Sequence, residues 1–110
     1  MKRIDLSIEI QDTEIVDRGI TAYTSKHYPG LAIHRAWSRL PGEWEVTHIQ
    51  SGRSIAHLPS KAAAKAALPL LCKFSDWSGR ATDIVPADPG EYRWFKAAIA
   101  AIVKKASRAA

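Results

Sequence analysis

The side chains of this chain that could do chemistry are four histidines, one cysteine and a scatter of hydroxyls and carboxylates. His34, His48 and His57 fall on three neighbouring extended segments, and zinc is the first chemistry they suggest. A zinc site needs such side chains on one face with a fourth ligand close by. The spacing supplies no HxH, HxxxH or CxxC pair, and no metal or other cofactor is expected. Nucleophilic catalysis needs a base within reach of the nucleophile and a third group to orient that base. Thr47 and His48 are adjacent on a strand and so point to opposite faces. His57 with Ser54 or Asp76 is a further combination, supported by no motif. Ser78-Gly79-Arg80 reads as a turn rather than a phosphate loop. Cys72, among Leu70, Leu71 and Phe74, reads as a buried structural thiol. No catalytic residue is expected, and the chain reads as a binding protein, not an enzyme.

Binding chemistry is better represented. The 110 residues carry a net charge of +5. Residues 61–110 hold nine Lys or Arg against four Asp or Glu, so the whole excess lies there and residues 1–60 are neutral. Clustered cations favour polyanions, either nucleic acid or an acidic protein surface. Trp37, Trp44, Trp77 and Trp94 could stack on unpaired bases. Trp77 and Trp94 are expected in the core, with Trp37 and Trp44 left open between the two roles.

These residues must be positioned by a small set of elements. Trp44, Val46, His48 and Gln50 alternate with Glu45, Thr47 and Ile49, the period of a strand. A turn over Ser51-Gly52-Arg53-Ser54, with Gly52-Arg53 central, would set Ile49 opposite Ala56, His48 opposite His57 and Thr47 opposite Leu58. One face is then apolar and small, and the other carries Trp44, His48, Gln50 and His57. Ser60 is a good helix N-cap, and Ala63, Ala67, Leu71 and Phe74, with Ala64 and Leu68 beside them, form a buried stripe. Pro69 should kink or interrupt this helix. Lys61, Lys65 and Lys73 read as a solvated face.

Toward the N-terminus, Ile4, Leu6, Ile8 and Ile10 alternate as a half-buried strand. Asp12 could cap a helix on which Val16, Gly19, Ile20 and Tyr23 share a face, ended by Pro29-Gly30. Leu31 to Ser38 reads as a strand turned back by Arg39-Leu40-Pro41-Gly42. Gly79 to Ala87 could hold another short strand. Asp88-Pro89-Gly90-Glu91 opens the last helix, a basic amphipathic segment over 88–108 whose stripe is Tyr92, Phe95, Ile99, Ile102, Val103 and Ala106. The expected fold is a single α+β domain over 1–110: a small, mostly antiparallel sheet, made of an N-terminal strand and a three-stranded meander, packed with two to three helices. A hairpin-and-helix module over 31–75 forms its centre. One cysteine and the absence of a signal-like or membrane-spanning run point to a cytoplasmic setting without a membrane partner.

Gly42-Glu43-Trp44-Glu45-Val46 entering the middle strand, Gly52 at the turn and Ser60-Lys61-Ala62-Ala63-Ala64-Lys65 opening the helix resemble the three-stranded-sheet DNA-binding domains. Those include the plant ethylene-response factors and the arm-binding domains of tyrosine integrases. The resemblance spans about residues 31–75 and implies a sheet laid in the major groove with the helix behind it. Arg35, Trp37, Trp44, His48, Gln50 and Arg53 are the contacts it implies, with DNA ahead of RNA. Glu43 and Glu45 depart from the arginine-rich sheet of that family. The Trp-x-Val-Thr-His strand, the Ser-Gly turn, the Ser-Lys helix start and Asp76-Trp77 are also similar to small proteins of phage and bacterial genomes.

Two functions follow as expectations. In the first, a nucleic-acid-binding accessory or regulatory protein holds phosphates with Lys61, Lys65, Lys104, Lys105 and Arg108, and Arg35, His48 and Arg53 add sheet contacts. In the second, a protein-interaction module, such as a phage-type modulator of a host protein or a homodimer, uses a sheet edge or a Trp37 and Trp44 patch.

Overall fold

A computed structural model describes residues 1–10, 14–36 and 43–109. Five strands run in chain order across one antiparallel sheet: β1 (Lys2–Ile10), β2 (Glu14–Thr24), β3 (Leu31–Arg35), β4 (Trp44–His48) and β5 (Ser54–Leu58). The helices α1 (Lys61–Phe74), α2 (Ala81–Ile84) and α3 (Pro89–Ala109) follow. The α+β class is as expected, with one strand more than the four anticipated. Trp37, Asp12 and the turn over Arg39 to Gly42 lie outside the described residues.

That extra strand is β2, where the sequence pattern suggests a helix. Val16, Gly19, Ile20 and Tyr23 do match a helical spacing. The segment is nevertheless rich in β-branched residues, which lose rotamer freedom in a helix and pack well on a pleated surface. Gly19 falls where the pairing with β1 shifts register, between Leu6 opposite Ile20 and Ile8 opposite Val16, a place that an interior strand glycine often marks. Pairing with β1, from Lys2 against Thr24 to Ile10 against Glu14, decides in favour of the strand.

The core lies between β3–β5 and the helices. Leu31 and Ile33 of β3, Val46 of β4, and Ala56 and Leu58 of β5 meet Ala63, Ala64, Ala67, Leu68 and Leu71 of α1. Alanine along α1 lets its backbone approach the sheet closely. Ser60 caps the helix as expected, its hydroxyl accepting from the Ala63 amide at 3.1 Å. α1 runs uninterrupted through Pro69. Its far end is held by the Leu71 carbonyl, which accepts from the Ser75 amide at 3.0 Å and from the indole N–H of Trp77 at 2.8 Å. Trp77 is buried, as expected. Trp94 is not: it is 66% exposed and touches Phe74 at the helix surface. Phe95, Ile99 and Ala106 form the buried side of α3, and Trp94 is one position, about 100° of helical rotation, off that line. Between Gly79 and Ala87 the chain makes α2 rather than a strand.

The β4–β5 hairpin is also paired differently from expectation. Val46, not Ile49, stands opposite Ala56, Trp44 opposite Leu58 and Glu45 opposite His57. The Gly52 amide donates to the His48 carbonyl, and the Arg53 carbonyl accepts from the His48 amide, both at 2.9 Å. The loop is therefore residues 49–52, ended by Gly52 at φ +71°, a left-handed conformation that glycine adopts without steric cost. A two-residue turn centred on Gly52 and Arg53 would have put Val46 and Leu58 on opposite faces of the sheet, so that only one of them could join the core.

Candidate nucleic-acid interface

Tyr23, Arg35 and Trp44 come together because of strand register. Tyr23 pairs with Ile33, and Arg35 pairs with Trp44. Residues two apart share a face of a strand, so all three side chains leave the sheet on its helix side, at the end that α1 leaves open. The Tyr23 and Trp44 rings are 6.3 Å apart and inclined at 32°. Lys61, the first residue of α1, places its Nζ 4.5 Å from the Tyr23 ring centroid and 5.4 Å from that of Trp44. Both are cation–π distances. Arg35 is exposed and, with Thr21, borders a shallow groove of about 290 Å³ along the two rings. The positive end of the α1 macrodipole lies on the same side.

The helical layer adds charge at this end. Phe74, at the end of α1, packs against Trp94 and Phe95 near the start of α3. The two helices also lie alongside one another, which requires them to run antiparallel. The C-terminal turns of α3, with the exposed Lys104, Lys105 and Arg108, therefore return toward the end of the layer that carries Lys61. Lys65 is exposed one turn along α1.

Other sequence-predicted residues are placed elsewhere. His48 is 1% exposed. The Ser51 hydroxyl oxygen accepts from the Arg53 amide at 3.2 Å, so its hydrogen is available to His48 Nδ1 at 2.7 Å. The Nε2–H of His48 then donates to the Gly79 carbonyl at 2.8 Å. With both ring nitrogens engaged, His48 ties the hairpin to the loop after α1 and presents nothing to a ligand. Gln50 and Arg53 are exposed at the turn end of the hairpin, away from Trp44. Arg35, Trp44 and His48 thus lie on the helix side of the sheet and not on the outer face that the DNA-binding resemblance implies. Sequence reasoning missed Tyr23 and Thr21 as groove residues. Their alternation within the β-branched run of β2 was the available signal.

The opposite face of the sheet holds a second polar cluster. His34 Nδ1–H donates to the Arg35 carbonyl at 2.7 Å, and its Nε2 accepts from the Thr47 hydroxyl at 2.7 Å. Glu45, 5% exposed, stands 3.3 Å from His57 Nε2. Ser54 Oγ approaches the same His57 nitrogen at 3.4 Å. One ring nitrogen cannot both donate to the carboxylate and accept from the hydroxyl, so these three do not form a nucleophile, base and orienter relay. Among the described residues no His, Cys, Asp or Glu group of three is arranged to hold a metal ion.

Fold and surface together define an α+β protein: a five-stranded antiparallel meander, backed on one face by two packed helices, with an aromatic and cationic groove at one end. Comparison with protein-family models, with curated proteins and with solved structures finds no match. Among the described residues no helix is long and apolar enough to cross a membrane.

Proposed function

We propose that this protein binds nucleic acid, as an accessory or regulatory factor, through the groove bordered by Tyr23, Arg35 and Trp44, with Lys61 over its two rings. The observation that carries this reading is Lys61 Nζ standing over two neighbouring aromatic rings beside an exposed arginine. Cations that reach phosphates and rings that offer a π-face to a base are the two components of sequence-tolerant single-strand binding. Lys65, Lys104, Lys105 and Arg108 extend the positive surface along the helices and suit the phosphates on either side of the bound nucleotides. Entry of the whole sheet into a major groove is not favoured, because the helices stand on the side that carries Arg35 and Trp44.

The test is fluorescence anisotropy with labelled duplex DNA, single-stranded DNA and RNA over a salt series. Phosphate contact makes log affinity fall linearly with log salt. The expected result is such a line, with single strands bound more tightly than duplex. No binding to any of the three at low salt would overturn the proposal.

A further inference from the structure

β5 is the last strand of the sheet, so among the described residues no further strand pairs with the side of its backbone turned away from β4, an edge of the kind that accepts another strand. Beside its first residues runs α3. Tyr92, Phe95, Lys96 and Ile99 recur at the spacing of one helical face and, with the start of β5, enclose a groove of about 250 Å³. The groove floor is apolar, made by Ile55 with Phe95 and Ile99. Its rim is basic: Arg53 and Lys96 border it, and among the described residues no acidic side chain lines it. Lys96 Nζ is steadied 5.7 Å from the Tyr92 ring centroid.

We propose that this groove takes an extended acidic peptide, which adds to the edge of β5 as a further strand. The dimensions agree. Tyr92 to Ile99 spans roughly 10 Å of helix, about three residues of extended chain at ~3.3 Å each. One apolar side chain would enter the floor between two carboxylates, which meet Arg53 and Lys96. Main-chain hydrogen bonds to a sheet edge supply affinity in this mode, and alternate side-chain pockets supply selectivity. β5 is short, and its pairing with β4 shifts register between Val46 and Thr47. Both features limit indiscriminate edge pairing. The groove lies at the opposite end of the hairpin from Trp44, so the inference does not depend on the nucleic-acid reading.

The test uses the whole chain and a pool of acetylated hexapeptides alternating Asp or Glu with Val, Ile or Leu, followed by amide chemical shifts. The expected result is perturbation at Ser54, Ile55, Tyr92 and Lys96. Lys96→Glu, an exposed substitution that leaves the core intact, should weaken the best peptide at least tenfold, and backbone N-methylation of that peptide should abolish binding. No response to the pool would overturn the proposal. So would equal binding of the N-methylated peptide, or the same perturbation by hexanoate alone, which would make the groove a small-anion pocket. Concentration-dependent dimerisation that shifts β5 in the absence of peptide would assign the edge to a second copy, and would also overturn it.

Discussion

Gly30 and Trp77 meet backbone to backbone. A Cβ at position 30 would collide with the Trp77 carbonyl and lie 2.8 Å from the Ser78 amide nitrogen. Gly30 also has φ +86°, and its carbonyl accepts from the Ile49 amide at 2.9 Å. With His48 bonded to Gly79, three segments distant in sequence are joined at the turn end of β4. Both left-handed strain and overpacking would accompany any side chain at position 30, and Gly30→Ala should cost roughly 2–5 kcal/mol. Urea unfolding measures this, and an unchanged midpoint would show that the two backbones do not approach as described.

His48→Ala separates a structural role from a binding role. It leaves the part-buried Gly79 carbonyl without this donor and should lower stability by about 1–3 kcal/mol. Affinity of the folded protein for nucleic acid should stay within a factor of two of the parent. A large affinity loss at unchanged melting temperature would return His48 to the interface.

Arg35 and Lys61 should contribute to the salt dependence of binding. Replacing both by alanine removes two phosphate-reaching cations and should flatten the slope of log affinity against log salt by about two. Lys73→Ala, on the solvated side of α1, serves as the comparison and should leave the slope alone. Anisotropy titrations at several salt concentrations provide the reading.

Asp76 shapes the turn after α1. Its Oδ1 accepts from the Ser78 hydroxyl at 2.6 Å and from the Ser78 amide at 3.0 Å. These bonds, the hydroxyl first, hold the carboxyl below its ordinary range. A carboxyl with a depressed folded-state pKa stabilises the fold above its unfolded value, and the contribution disappears as pH falls through the folded one. Asp76→Ala should therefore melt below the parent at neutral pH, and the two curves should converge in strong acid. Parallel melting curves across that range would contradict the assignment.

Cys72 is half-buried, and burial, followed by the nearby Asp76 charge, raises its thiol pKa. The thiolate is the reactive form, so disulfide reagents should modify the folded chain slowly at neutral pH and faster only in alkaline solution. Asp76→Asn removes the smaller of the two causes and should move the pH profile slightly down. Rapid labelling at neutral pH without unfolding would exclude a shielded thiol.

The amino-acid sequence alone determined the features whose causes are local. The Ser60 cap lies within one helical turn of its acceptor-seeking amide, and Asp88 accepts from the Gly90 and Glu91 amides at 2.9 and 3.0 Å. The alternation of β1, the alanine stripe of α1 and the apolar line of α3 were likewise legible, because each repeats at the period of its own element. Tertiary structure decided the rest. Val16, Gly19, Ile20 and Tyr23 satisfy a helical spacing, and only pairing with β1 makes them a strand, which in turn brings Tyr23 beside Trp44 and Lys61. The hairpin register depended on which residues the helices would bury, and burying Val46 and Leu58 moved His48 onto the loop after α1. Trp77 and Trp94 differ in the same way: one finds the Leu71 carbonyl inside the core, and the other falls just off the buried line of α3. Caps and periodicities act over a few residues, whereas register, burial and the meeting of Tyr23 with Lys61 depend on contacts between elements far apart in the chain.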